Sequence, residues 1–380
     1  MSQPIGLNTS RIVDIDVVRG VAILSILVLH ALVLTPGLNS LPQLLPLINR
    51  LSVGVQLFFV LSGYLITQSM ERCIAKGEGV KGFLIRRFAK LVPLYLVFLH
   101  LQIVLFIGFK AFGSDLPIVR NSLTDETFNF QNYFIHVLFL QGFFPDKLHT
   151  FLDGSWSIVI EAYFYLFFAI FGFSKTREVN KALWFYGLTL VVSMVFVVLI
   201  GRHFSGYSHY GFLAQFPCFM LGVLVYRLLE NLSFQELVTP WRKPLAFIAV
   251  IFTIGLIDGK TKPLGDFNIY AICCAVALIS APVIVHYLPI LIRKVLSSFG
   301  RQSYALFFSH LLLLKTFHMI DLMANLNLSI FVAAVAYLAV SIIGGWILSN
   351  SIFDPIDKCF VLKANSWLES RISTSQSRPL

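Results

Sequence analysis

Ten apolar runs divide this chain of 380 residues, near 17–35, 52–70, 91–109, 156–173, 183–201, 211–229, 244–258, 267–289, 302–320 and 329–350. A helix rises about 1.5 Å per residue, so some 20 such residues match the roughly 30 Å hydrocarbon core of a bilayer. Backbone in lipid has to satisfy its own hydrogen bonds, which leaves helices or closed barrels as spanning structures. Runs of this length predict an all-α integral membrane bundle of about ten transmembrane helices, with 244–258 the weakest on length. A further stretch, FIHVLFLQGFF at 134–144, is too short to span and reads as an interfacial or re-entrant segment. The composition agrees: mean hydropathy is +0.80 and only 13% of residues are charged, where a soluble domain carries about a quarter.

The net charge of +10 points to topology before it points to an anionic partner. Lys and Arg gather in alternate connections: Arg72 to Lys90 after the second run, Lys175 to Lys181, Arg227 to Lys243, Arg293 to Arg301, and a tail with Lys358 and Lys363. The long connection at 110–155 instead carries Asp115, Asp125, Glu126, Asp146 and Asp153. The positive-inside rule then predicts both termini in the cytoplasm, which an even number of spans satisfies. One membrane-embedded domain is expected over 1–360, and 361–380 reads as a cytoplasmic tail with a disordered Ser-rich end. A polar N-terminus and a long first run predict a retained anchor and no cleaved signal peptide. The five cysteines suggest neither a disulfide framework nor a metal site.

Polar side chains interrupt the apolar runs at a few places. Arg19 and His30 are eleven residues apart, which returns both to nearly one face of a helix about 16 Å apart along its axis. Titratable groups in hydrocarbon are costly and usually face a protein interior or a wet cavity. Asp16 can reach Arg19 at a spacing of three. Ser62 and Gly63 in the second run suit close helix packing, or else open space for a narrow acyl or pantetheine-like chain. Arg86, Arg87 and Lys90 build a cationic cluster that suits either phosphate or anionic lipid. Glu161 lies inside an apolar run with Tyr165 one turn on, and Trp156 at its outer end reads as an interface anchor. His310 is a second intramembrane histidine; His100 and His286 have no polar companions at helical spacing. His136, His149, His203 and His209 fall on the outer side, where solvation and contact with a polar acceptor both stay open.

In order along the chain, these fragments resemble the acyltransferase-3 family of multi-spanning membrane acyltransferases, many of which O-acetylate bacterial surface glycans. The resemblance runs from about residue 11 to about 350. It rests on Asp16, Arg19, Gly20 and His30; on FFVLSGYLI; on Arg86, Arg87, Pro93 and Tyr95; on Trp156, Ser157, Glu161, Phe164 and Tyr165; and on Ser303, Tyr304 and His310. Lys90 stands where the family often has a second arginine, keeping the charge but losing the bidentate fork. Some relatives carry a fused extracytoplasmic domain, and none is expected here. The resemblance implies an acyl-CoA co-substrate, most simply acetyl-CoA, no bound cofactor, and a glycan or lipid-linked glycan acceptor at the inner membrane. It implies Arg19, Arg86, Arg87 and Lys90 on the donor side and His30 as base or acyl acceptor. Glu161 would orient His30, and His310 would be a second base or an acceptor contact. On composition alone, a secondary transporter or flippase for a polar or glycolipid substrate would be built from similar residues, and a glycan-sensing pseudoenzyme is a third reading.

Overall fold

The computed structural model describes residues 9–113, 129–150, 154–173, 176–255 and 266–376, and each of the ten apolar runs contributes a helix there, the 244–258 run as far as 255. In chain order these are α1 (Thr9–Leu34), α2 (Val53–Ala75), α3 (Gly79–Gly113), the short α4 (Phe130–Val137), α5 (Trp156–Phe167), α6 (Val179–Gly201), α7 (Phe212–Glu230), α8 (Arg242–Gly255), α9 (Asp266–Tyr287), the short amphipathic α10 (Ile290–Arg301), α11 (Ser303–Ala324), α12 (Ile330–Ala339) and α13 (Asp354–Gln376). Among the described residues, eight helices are long and apolar enough to cross a membrane, and Trp156–Gly172 is a shorter apolar helix. The acidic part of the 110–155 connection, with Asp115, Asp125, Glu126 and Asp153, lies outside the described residues.

Helix directions show that the two shorter helices each reverse the chain. Phe59, Tyr64 and Glu71 of α2 meet Phe219, Tyr226 and Arg227 of α7 in the same order, so α2 and α7 run parallel. Arg19 and His30 of α1 meet Ser303 and His310 of α11, so these two also run parallel. Alternating directions give both relations only if α5 and α8 count as full reversals, as a ten-helix bundle requires. At the centre stands α7: 78% of its most apolar stretch is buried in the protein, against 11% of that of α6, which lies at the periphery.

Glycine sets the closest helix crossings. A Cβ on Gly63 would strike the carbonyl of Phe219, and one on Gly222 would strike the carbonyl of Val60 and come within 2.9 Å of the Tyr64 amide. Gly20 and Gly300 make the equivalent contact between α1 and α10, against the backbones of Leu296 and Asp16. Small residues are what lets helix backbones approach this closely where lipid supplies no hydrophobic drive. Gly63 therefore packs helices and does not open space for an acyl chain. A Gly63→Ala protein is expected to lose about 1–3 kcal/mol through forced separation of α2 and α7, measured as a lower melting temperature in detergent; an unchanged melting temperature contradicts the crossing.

The 134–144 segment does not span. Its α4 ends at a turn where Phe139 takes φ 60°, and Gln141–Phe143 follows as a single tight turn. Tyr163 donates to the Phe139 carbonyl at 2.5 Å, Tyr95 to the His136 carbonyl at 3.2 Å and Tyr207 to the Gly142 carbonyl at 2.8 Å, so three helices hold this backbone. His136 is buried there, and burial lowers its pKa. From 361 the chain continues as the helix α13 through Gln376, which packs along α3; residues 377–380 lie outside the described residues. Between α12 and α13 the helix passes through two π turns, Val340–Gly344 and Ser349–Phe353, the first of them ending beside His310.

Candidate active site

The face of α1 that carries Arg19 and His30 meets α11 at both positions. At the end of the bundle nearer the N-terminus, Arg19 donates to the Ser303 hydroxyl at 2.7 Å and pairs with Asp16 at 3.7 Å, the spacing-of-three contact expected from sequence. Toward the other end, His30 Nδ1 lies 3.0 Å from His310 Nε2. The two rings are within 10° of parallel with centroids 5.3 Å apart. With a ring radius of roughly 1.15 Å on each side, that separation means the imidazoles meet edge to edge in one plane, the arrangement that aligns N–H with a lone pair.

The tautomers follow from the acceptors. His310 Nδ1 lies 2.8 Å from the Leu306 carbonyl, which can only accept, so Nδ1 carries the proton. In the neutral ring its Nε2 is then an acceptor and takes the Nδ1 proton of His30. That leaves the lone pair of His30 on Nε2, assigned here from the bonding pattern. His310 is fully buried, with Gly345 against its Cβ and Phe307 edge-on to its ring at 5.8 Å.

Glu161 takes a different position from the one expected. Its Oε1 accepts from Ser62 at 2.6 Å and from Tyr165 at 2.8 Å, and Tyr165 reaches the Tyr304 hydroxyl at 3.0 Å. The carboxylate thus joins α2, α5 and α11 at the level of Arg19, while His310 and not Glu161 holds His30. Lys90 lies over the Tyr304 ring at 5.3 Å and Arg87 beside the Tyr165 ring at 5.9 Å. Arg87 also donates to the Leu65 carbonyl at 3.0 Å, and its buried Nε finds no hydrogen-bond partner among the described residues.

The expected cationic cluster is therefore split. Arg87 and Lys90 join Arg19 around one cavity, but Arg86 turns away, makes two bonds to Glu78 at 2.8 and 2.5 Å and contacts Asn365 of α13. The Arg86 hydrogen bonds hold the Glu78 carboxyl below its ordinary range. Trp156 is corrected as well: it is 8% exposed and packs edge-on to Phe59 and against Tyr210, inside the protein rather than at a lipid interface.

Two adjoining cavities connect these groups. One of about 50 Å³ is lined by Arg19, Arg87, Lys90, Ser62, Glu161 and Tyr304. The next, about 40 Å³ and almost wholly apolar, shares Phe58, Ser62, Glu161 and Tyr304 and continues past Ile26, Phe59 and Phe307. A cationic chamber thus adjoins a narrow apolar cavity, one of whose walls, Phe307, packs against His310.

Sequence reasoning passed over three participants. Ser303 and Tyr304 entered only as motif residues, and nothing in their helix spacing marks the bonds they make. Asp357 of α13, within electrostatic reach of Lys90 and Arg19, was not singled out, because its partners lie on helices remote in the chain.

Comparison with known proteins bears on what this arrangement is for. The model of the acyltransferase-3 family, described as an acyltransferase domain, matches residues 12–350. A protein of Staphylococcus aureus strain COL, provisionally named an O-acetyltransferase, is 24% identical over 326 residues, covering 80% of this chain and 51% of that protein. Its counterpart in strain N315 matches to the same extent. The peptidoglycan O-acetyltransferase OatA of Listeria monocytogenes is 31% identical over 121 residues, 31% of this chain and 19% of its own. The chain spans about half the length of the Staphylococcus relatives it matches. No solved structure matches it.

Proposed function

This chain belongs to the acyltransferase-3 family, and on that premise we propose that it moves an acyl group, most simply acetyl, from coenzyme A to a hydroxyl of a glycan or lipid-linked glycan. The observation that carries the reading is the joint pairing of α1 with α11: Arg19 with Ser303 at one end of the passage and His30 with His310 at the other. With the Lys- and Arg-rich connections in the cytoplasm, the donor enters from that side. Arg87, Lys90 and Arg19 meet its phosphates, for which guanidinium forks and a point charge are suited.

The thioester arm then extends through the apolar passage. Phe58 and Tyr304 line both cavities and have to give way, since the present volumes of about 40 and 50 Å³ hold only water-sized groups. At the far end, His30 Nε2 takes the proton of the acceptor hydroxyl as its oxygen attacks the thioester carbonyl. The tetrahedral adduct collapses with cleavage of the C–S bond, and the thiolate leaves with the proton from the imidazolium. Attack on the carbonyl by Nε2 itself, giving a transient acyl-imidazole, uses the same lone pair. Glu161 offsets the charge of Lys90 and Arg87 and orders Ser62, Tyr165 and Tyr304 at the entrance.

The test is transfer of label from radioactive acetyl-CoA to a glycan fraction by the full chain in nanodiscs. Labelled glycan is expected; a chain that neither transfers nor hydrolyses the donor overturns the reading. The donor side has its own signature. Arg87→Ala combined with Lys90→Ala is expected to raise the KM for acetyl-CoA about tenfold or more, by the loss of two charge-assisted contacts. Arg86→Ala instead is expected to loosen α13 from α3 and lower the melting temperature. Equal KM values for all three proteins would refute the split of the cluster.

A further inference from the structure

Resting on the acyl-transfer reading, we infer that His149, Trp156, His209 and Tyr210 form the subsite for a neutral sugar ring of the acceptor. The short helix Ser205–Tyr210 delivers Tyr210 between three other rings. His149 lies edge-on to it at 5.0 Å and 80°, His209 edge-on at 4.9 Å and 88°, and Trp156 tilted at 4.7 Å. Both imidazoles are exposed and Tyr210 is half-buried. Trp156 continues the row inward, meeting Phe59 at 5.9 Å, and Phe59 lines the apolar passage. A ladder of rings therefore runs from the surface to the wall of the passage.

Its foot is beside the catalytic pair. Two residues before Trp156, Gly154 turns with φ +82°, and a Cβ there would lie 3.7 Å from Phe307 and 3.3 Å from Leu311. Phe307 in turn packs against His310. Tyr210 is thus linked to the His310 side of the bundle through Trp156, the Gly154 turn and Phe307.

The chemistry of the cluster selects its ligand. A sugar ring presents a C–H face that packs on an aromatic surface and a rim of hydroxyls that exchange hydrogen bonds with imidazole nitrogens and a phenol. The four side chains offer imidazole, indole and phenol groups and no carboxylate, ammonium or guanidinium, a donor and acceptor set suited to the hydroxyls of an uncharged ring. Trp156 supplies buried area under Tyr210, and the exposed imidazoles supply orientation, the division of labour typical of a small-ligand site.

The experiment uses the full chain in nanodiscs with acetyl-CoA as donor and chitotetraose, a neutral N-acetylhexosamine oligomer, as acceptor probe. Tyr210→Ala, and His149→Ala with His209→Ala, are expected to raise the KM for chitotetraose at least about tenfold while the KM for acetyl-CoA stays within about twofold. Tyr210→Phe, which keeps the ring, is expected to fall nearer the unmodified chain than Tyr210→Ala does. Trp184→Ala, on the exposed face of α6, serves as the surface control. An unchanged sugar KM in Tyr210→Ala overturns the subsite. So does an unmodified chain that hydrolyses acetyl-CoA yet leaves chitotetraose unlabelled. An unmodified chain that neither hydrolyses nor transfers sinks the acyl-transfer reading itself, and the two failures are told apart by the hydrolysis measurement.

Discussion

Replacing His30 with alanine is expected to lower acyl transfer by about 10³-fold or more while binding of acetyl-CoA persists. A positioned base contributes about 10²–10⁴-fold, and a covalent acceptor cannot be replaced at all by a methyl group. The cationic chamber of Arg19, Arg87 and Lys90 lies about 16 Å below along α1, too far for the substitution to disturb phosphate contacts. The side chain is half-buried and meets His310, so its loss leaves space without removing a helix crossing. The decisive measurement pairs the transfer rate with the equilibrium affinity for coenzyme A. Transfer at the normal rate would remove His30 from the chemistry, and parallel loss of rate and affinity would recast it as a structural residue.

The second large effect concerns His310, a positioning residue. Its Nδ1–H is committed to the Leu306 carbonyl, so its Nε2 accepts from His30 and fixes the lone pair of His30 on the opposite nitrogen. His310→Ala removes that acceptor and frees His30 to adopt the unproductive tautomer. A drop in kcat of about 10²-fold is expected, below the roughly 10⁴-fold seen when a serine-protease histidine is forced into the wrong tautomer. His310→Gln places an amide oxygen close to where Nε2 stands and is expected to recover most of the rate, whereas His310→Asn, one methylene shorter, is not. Donor KM should change little in any of them. If glutamine and asparagine lose the same amount, His310 matters only as packing.

Much of the site was legible because a helix has a fixed period. Arg19 with His30, Asp16 with Arg19, and Glu161 with Tyr165 all follow from 3.6 residues per turn, and each pair is on one face in the structure. The same period explains one error. Consecutive residues point 100° apart, so Arg86 and Arg87 cannot both face one cavity; α13 and Glu78 claim Arg86, and the chamber keeps Arg87 and Lys90. What could not be read was every contact between helices. Ser62 for Glu161, His310 for His30 and Ser303 for Arg19 are chosen by which helices pack together, and that choice lies in crossings such as Gly63 on Phe219, where a glycine looks the same in sequence whether it faces a backbone or a cavity. The all-α membrane bundle was legible because apolar length needs no partner: among the described residues eight helices are long enough to cross, and the directions of packed helices add α5 and α8 as reversals.

The two pairs that define the passage are separated by 284 and 280 residues in the chain. A ribosome adding about 5–20 residues per second needs roughly 15–60 s to make that interval. Throughout it α1 holds an arginine that has only Asp16 of its own helix and a histidine whose partner on α11 has not been made. Only when α11 enters beside α1 do the Arg19–Ser303 contact and the His30–His310 pair form together, so a chain that stalls during insertion is left with neither.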